Sequence, residues 1–509
     1  MSASGPGPDP VPEGAAAPSP AGAGSYRRDA LLAGVSRMAP LGVQLAATPL
    51  VLASLGEGSF AAWALMMTTI NLLLTADLGV VGIMQRYHGV ALGRGDSALG
   101  GRITASVLLM LGALLVLVTL AGPLIADGVL AVVDFPPDVR DQARLLFRHA
   151  GTLAVLQLLA LALSSYLAAH SRFLAVAGLS IGARAVLALG IAVALLGDHG
   201  LPGLLLASYA DAVVAVLLGL WLCRHHLRHD VRRPTDRAET SDLWAYAWRN
   251  QASALGFVAQ RELDVVLAGI LLPTAALASM SAAAPLTAAV CLAPSVLLTP
   301  LFTRLSVQAG ADPAGLPRAA ADAERAWFAL ALPFGAVVLA VLPFAAAAWL
   351  GPELVDVTEV TALLAAGFLL TLVTSVRAIL VRAAGRPGLE SRSYAVYAVV
   401  KIAAGWALAM TFGLLGLAAA GVLAAVAAMV VLRRGAGALM SGGPSAAPAR
   451  STWLVSGAVL VVAGAASWWV STAVDGRWAV LGLLVVIGAA AGATALAASR
   501  RRSPGTAPR

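Results

Sequence analysis

The stretch ITASVLLMLGALLVLVTLAGPLIA, at residues 103–126, contains no charged side chain. A helix needs about 20 consecutive apolar residues to cross the hydrocarbon core of a bilayer, so this stretch predicts a membrane-spanning helix. The composition of the whole chain agrees, because 59% of its 509 residues are hydrophobic and only 12% are charged. Soluble domains average roughly 25% charged residues. The sequence therefore predicts an all-α, polytopic membrane protein.

Comparable apolar runs recur along the chain and predict about fourteen membrane-spanning helices. Six of these runs precede a polar, arginine-rich stretch, near residues 31–54, 59–83, 103–126, 145–168, 173–196 and 202–222. Eight follow it, near residues 246–271, 275–299, 326–350, 358–380, 394–412, 415–432, 452–473 and 478–498. Only Gly413 and Gly416 divide the fused run at 394–432 into two spans.

Lysine and arginine are unevenly distributed among the connections. With Arg377, near the end of its span, counted in the connection that follows, the two chain ends and the even-numbered connections hold 25 basic residues, whereas the odd-numbered connections hold four. Because short cytoplasmic loops carry the excess of basic residues, this partition predicts that both termini are on the cytoplasmic side of a cell membrane. The net charge of +8 is thus interpreted as topology, and no nucleic-acid partner is expected.

A weak internal repeat divides the chain into halves. LGEGSFA at 55–61 opens a span that ends in LGVVGIMQR at 78–86, and LPTAALA at 272–278 opens one that ends in LLTPLFTR at 297–304. Such repeats are typical of transporters whose binding site lies between the halves. The predicted organisation is a disordered tail (1–25), a six-helix bundle (26–223), a basic cytoplasmic linker (224–243), a second, pseudo-symmetric six-helix bundle (244–434), a linker (435–451), two additional membrane helices (452–499) and a basic cytoplasmic tail (500–509).

Eight charged residues inside predicted spans are candidates for a substrate-binding lumen between the halves. A charge at mid-bilayer costs about 2.5 to 3.5 kcal/mol on insertion scales, so each must face water or a partner. The eight are Arg37, Asp77, Arg184, Asp211, Arg261, Glu262, Asp264 and Lys401. The alternatives are snorkelling to the nearer membrane surface for Arg37, a helix-end cap or salt bridge for Asp77, and structural pairing for Arg184, Asp211 and Lys401.

The densest group of these charges is RELD at 261–264, in the middle of the seventh predicted span. Residues three apart share a helix face, so Arg261 and Asp264 are expected to lie on one side of the helix. Three charges so close together must face protein or water, either in the lumen or in an internal structural pair.

Several of these residues form part of a diffuse pattern that resembles a known family. The pattern begins with Arg37 and Pro49, continues with FAAWA at 60–64, DLG at 77–79 and RGD at 94–96, and adds RELD at 261–264 followed by VVLAGIL. It is similar to the polysaccharide, or lipid-linked oligosaccharide, flippases of the multidrug/oligosaccharidyl-lipid/polysaccharide (MOP) exporter superfamily. The resemblance covers about residues 27–435.

The resemblance implies a transporter that moves a polyprenyl-pyrophosphate-linked glycan across the cytoplasmic membrane by alternating access. It implies membrane lipids, and a glycan polymerase or glycosyltransferases, as partners. Three alternatives remain open: a lipid II type flippase, an ion-coupled exporter that uses Asp77, Asp211 and Asp264, and a membrane scaffold without transport. The sequence has no phosphate-cradling or catalytic signature, and neither an enzymatic activity, a cofactor nor a metal is expected.

Overall fold

The computed structural model describes residues 23–75, 97–170, 172–230, 262–298, 314–351, 353–384, 388–440 and 447–500, with single residues at 84, 260, 301, 305, 308, 309, 312 and 386. Side chains are described over these ranges except at 23–42, 44, 45, 75, 97–100, 169, 173, 225–230, 292, 296 and 495–500. Most of the expected N-terminal tail and of the basic linker 224–243 lies outside the described residues.

All regular structure in these ranges is helical. The helices are α1 (Ala23–Thr75), α2 (Ser97–Val132), α3 (Pro137–Ala169), α4 (Phe173–Leu196), α5 (Gly200–Asp230), α6 (262–271), α7 (Thr274–Leu292) with a 3-10 extension (Ala293–Leu298), α8 (Leu316–Leu350), α9 (Val357–Ala383), α10 (Gly388–Met440), α11 (Arg450–Ala473) and α12 (Arg477–Arg500). Within the described ranges, eleven of them, all except the short α6, are long and apolar enough to cross a membrane. The all-α polytopic architecture is thereby confirmed.

Two of the long helices are each a pair of spans joined at a glycine. Gly56 (φ 78°, ψ 172°) breaks α1, and Gly413 (φ 60°, ψ −135°) breaks α10. These positive φ angles are accessible to glycine and costly for other residues, which explains why the chain turns there without a loop. The break at Gly413 confirms the division of 394–432 into two spans. With both breaks and α6, the described part of each predicted span is helical, and most of 246–261 and all of 76–83 lie outside the described residues. α10 continues to Met440, beyond the expected boundary at 434.

The helices pack as two groups joined along one seam. α1 to α5 pack together as the first group, and α7 to α10 form the second, to which α6 is tied by the ion pair between Asp264 and Lys401. α1 packs against α7 across the seam, and Leu65 of α1 lies against Gly269 of α6. α11 and α12 contact each other and α8, so the last two helices form a hairpin on the outside of the second group.

One end of the seam is closed by a hydrogen bond between the two groups. The hydroxyl of Thr274, the first residue of α7, donates to the carbonyl oxygen of Asp134 at 3.1 Å. Asp134 lies in the connection between α2 and α3. The two halves therefore touch at the end of the molecule where α2 finishes and α7 begins.

Close packing of α2 on α3 depends on Gly122. A Cβ atom at this position would lie 2.3 Å from the carbonyl oxygen of Arg148, whereas a Cβ at Gly112 of the same helix would meet nothing within 4 Å. We expect Gly122→Ala to lower the free energy of unfolding by about 1 to 3 kcal/mol, the usual cost of overpacking. Gly112→Ala should be neutral or stabilising by up to about 1 kcal/mol, because alanine favours helix.

Reversible unfolding of the two variants in mixed micelles measures the difference. Equal stability of the Gly122 and Gly112 variants would show that α2 and α3 separate without cost.

Candidate functional site

A cavity of about 150 Å³ lies at the seam between the two groups of helices. α1, α3 and α4 line it from the first group, and α6 and α7 line it from the second. Its apolar wall includes Phe60, Trp63 and Met67. Its polar lining residues are Thr48, Thr68, Asn71, Gln157, Arg184, Glu262 and Ser281. We call it the central cavity.

Arg184 is held at the central cavity by the close contact of α4 with α5. A Cβ atom at Gly190 would lie 2.7 Å from that of Ala207, and a Cβ at Gly203 would lie 2.8 Å from that of Ala194. These small residues let the two backbones approach, as in other membrane helix pairs. The approach brings Arg184 Nη2 to 3.1 Å from the Oδ2 oxygen of Asp211, which lies near the middle of α5.

The two partners of this ion pair differ sharply in exposure. The Asp211 side chain is 1% exposed and the Arg184 side chain is 25% exposed. The second carboxylate oxygen of Asp211, Oδ1, has no hydrogen-bond partner among the described residues. The pair therefore presents a cation to the cavity and keeps its counter-charge behind it.

A second cavity of about 220 Å³ adjoins the central one inside the first group of helices, and we call it the side cavity. α3, α4 and α5 form most of its wall. Gln157 and Arg184 line both cavities, and Asp211 lines the side cavity. Arg184 thus stands at the junction of two spaces.

The second group of helices contributes Glu262 to the central cavity, and Asp264 lies elsewhere. Two residues along a helix turn the side chain by about 200°, so the two carboxylates point to opposite sides of α6. Asp264 is buried and paired with Lys401 of α10. The structure thus shows Asp264 in an internal pair, one of the two arrangements that the sequence left open.

Lys401 is enclosed by three spans. Its ammonium group donates to Asp264 of α6 and, at 2.9 Å, to the carbonyl oxygen of Leu417 beyond the break in α10. The Lys401 side chain has no exposed surface. Gly421 leaves room for it, since a Cβ atom there would lie 3.1 Å from Nζ. This pair ties α6 and both segments of α10 together within the second group.

A further buried ion pair was not among the sequence candidates. Arg377 of α9 donates from Nε to Glu324 Oε1 at 2.7 Å and from Nη2 to Oε2 at 3.2 Å, with Glu324 1% exposed. The hydropathy boundaries placed Glu324 just outside a span, and Arg377 was counted with a cytoplasmic connection. Both lie inside long helices, eight residues after the start of α8 and six before the end of α9. Comparing how far each residue lies from the shared end of these two antiparallel helices would have predicted the ion pair.

The eight sequence candidates thus have different outcomes. Arg184 and Asp211 come together, as do Asp264 and Lys401, and Arg184 and Glu262 face one cavity. The side chain of Arg37, and the whole of Asp77 and Arg261, lie outside the described residues. Gln157 was missed, although an amide in the middle of an apolar span is a signal of the same kind as a charge.

The central cavity is suited to binding a ligand rather than to catalysis. A guanidinium group offers a planar set of donors that matches phosphate or carboxylate oxygens in two-point contacts. In a space bounded by apolar walls, such a contact is stronger than in water. The described lining offers amide and hydroxyl groups for further hydrogen bonds.

No family model matches this sequence, and no curated protein matches it. Solved structures do share its fold. A MATE-family multidrug resistance transporter of the MOP superfamily, inward-facing, aligns with a TM-score of 0.67 at 16% identity, over 81% of this chain and 99% of its own. The lipid II flippase MurJ, in an inward closed conformation, aligns with a TM-score of 0.68 at 11% identity, over 93% of this chain and 99% of its own.

A MOP superfamily transporter from Pyrococcus furiosus aligns with a TM-score of 0.54 at 15% identity, over 81% of this chain and 96% of its own. The chain therefore has the fold of the MOP superfamily transporters and is a multi-pass membrane protein. The fold agrees with the resemblance noted in the sequence.

Proposed function

We propose that this protein is a flippase that moves a lipid-linked oligosaccharide or polysaccharide precursor across the cytoplasmic membrane by alternating access. The observation that carries the proposal is the position of Arg184, a cation on the wall of a cavity between two halves of a transporter fold. The lipid II flippase covers 93% of this chain, against 81% for the multidrug transporter, which supports a lipid-linked substrate.

Charge explains why a pyrophosphate-linked glycan suits this cavity. A pyrophosphate in a low-dielectric space needs cationic donors, and Arg184 supplies a planar guanidinium at this cavity. Arg37 and Arg261 are proposed as further cations of the lumen and Asp77 as an anion that tunes them, on sequence position alone. The polyprenyl chain stays in the surrounding lipid. A glycan polymerase or glycosyltransferases are the partners that such a substrate requires.

Reconstituted vesicles test the proposal. A fluorescent prenyl-pyrophosphoryl sugar is placed in both leaflets, and its exposure to an impermeant quencher reports movement between them. Removing Arg184 alone would leave Asp211 as an unpaired buried charge, so the test variant is Arg184→Gln with Asp211→Asn. We expect a loss of about 10- to 100-fold in transport rate, the equivalent of one charge-assisted hydrogen-bond set.

Arg144→Gln with Asp127→Asn is the matched control, because it removes an ion pair whose side chains are 54% and 65% exposed. Transport in the control should equal that of the wild type. Unchanged transport in the Arg184 variant would refute the assignment of this residue.

An ion-coupled exporter of cationic molecules is the second candidate, favoured by Glu262 at the same cavity and by the multidrug transporters that share the fold. This candidate predicts that the effects of the Glu262 and Arg184 variants are reversed. Glu262→Gln would then abolish efflux of a cationic dye, and the Arg184 variant would retain it.

A further inference from the structure

We propose that the side cavity is the binding site for the sugar unit that follows the pyrophosphate of the substrate. The inference rests on the proposed function and deepens it. The central cavity would hold the phosphates at Arg184, and the first sugar would extend past this residue into the first group of helices.

Connectivity supports this assignment. Arg184 and Gln157 line both cavities, so a group bonded directly to a phosphate at Arg184 lies at the mouth of the side cavity. In a lipid-linked glycan, that group is the first sugar. The opposite side of the phosphates continues toward the prenyl chain and has no need of this space.

The polar groups of the side cavity are of the kind that bind sugar hydroxyls. A carboxylate, an amide and hydroxyl groups offer both acceptors and donors, and here they come from Asp211, Gln157, Ser164 and Ser180. Leu161 and Leu179 add apolar wall for a ring face. This mixture of few polar groups and an apolar wall is typical of small-molecule sites.

Asp211 supplies a second, independent observation. Its Oδ1 atom is buried, lacks a hydrogen-bond partner among the described residues, and belongs to a side chain that is 1% exposed. A buried carboxylate oxygen without a donor is unfavourable, so a donor is expected to reach it. Asp211 lines the side cavity, and a rotation of its carboxylate would turn this oxygen toward a sugar hydroxyl there.

The size of the side cavity suits a sugar ring. Its volume of about 220 Å³ is sufficient for one hexose. The rest of the glycan would lie in the central cavity or beyond it.

The test compares ligands with and without the sugar on the full chain in lipid nanodiscs. The probes are farnesyl pyrophosphate and farnesyl pyrophosphate carrying glucose, galactose or N-acetylglucosamine, and titration calorimetry gives their affinities. We expect at least one sugar-bearing probe to bind about tenfold or more tightly than farnesyl pyrophosphate, from one or two hydrogen bonds to a charged group.

A variant that fills the side cavity shows whether the added affinity for the sugar arises there. Ala160 lines the side cavity and is absent from the lining of the central one, so Ala160→Leu should remove the preference for the sugar and leave farnesyl pyrophosphate binding unchanged. Ala168→Leu, on the same helix and away from both linings, is the control and should keep the preference. Asp211→Asn should weaken the preference for sugar-bearing probes without changing the volume of the side cavity.

The outcomes separate the two proposals. If none of the probes binds, the proposed function fails and this inference fails with it. If farnesyl pyrophosphate binds and no sugar improves it, or if the Ala160 variant keeps the full gain, the flippase proposal stands and the sugar site is wrong.

Discussion

Replacing Lys401 with methionine should lower the free energy of unfolding by about 3 to 5 kcal/mol. The substitution keeps most of the side-chain volume and leaves Asp264 as an uncompensated charge in the interior, where its side chain is 3% exposed. It also leaves the carbonyl oxygen of Leu417 without its donor. Reversible unfolding in mixed micelles, followed by loss of helical circular dichroism, measures the change.

Two further variants show whether the charge or the packing is responsible. Lys401→Met with Asp264→Leu removes both charges, and such replacements of buried pairs are neutral or stabilising in other proteins, so it should recover most of the stability. Arg325→Met breaks a pair with Asp322 whose side chains are 47% and 64% exposed, and it should cost less than about 1 kcal/mol. A double variant as unstable as the single one would assign the effect to packing.

A covalent bridge between the halves should stop transport. Asp134→Cys with Thr274→Cys places one thiol on each of the two residues joined by the 3.1 Å hydrogen bond between the Thr274 hydroxyl and the Asp134 backbone carbonyl. Alternating access requires this end of the seam to open, so oxidation or a short bifunctional thiol reagent should reduce transport to background. Cleavage of the bridge by a reductant should restore it.

The control bridge joins two helices of one half. Asp127→Cys with Arg144→Cys places thiols on α2 and α3 at an exposed ion pair, and transport should continue after the same bifunctional thiol reagent has joined them. The native Cys223 and Cys291 are free thiols but buried, so the reagent should react with the introduced thiols instead. Full transport by the bridged Asp134/Thr274 variant would exclude opening at this end.

The fold was largely predictable because each span is a local property of the sequence. Apolar length predicts a helix wherever it occurs, and a glycine such as Gly413 marks the break between two fused spans. Part of the site was equally accessible. Arg184 lies twelve residues before the end of α4 and Asp211 eleven after the start of α5, so both lie at one depth in consecutive antiparallel helices. Comparing those depths predicts their contact.

The partner of Asp264 was beyond such reasoning. Lys401 is 137 residues away and several helices intervene, so only the packing of the whole second group brings the two together. Local spacing favoured Arg261 as a neighbour on the same face of the helix. The pair with Asp264 also depends on Gly421, whose missing side chain makes room for the ammonium group of Lys401.

The same separation has a consequence for biogenesis. At a synthesis rate of roughly 5 to 20 residues per second, the ribosome reaches Lys401 about 7 to 27 s after Asp264. During that interval α6 enters the bilayer carrying a carboxyl group whose partner does not yet exist. A nascent chain that stops before residue 401 therefore cannot complete its second half, and we expect membrane quality-control proteases to degrade such truncated chains.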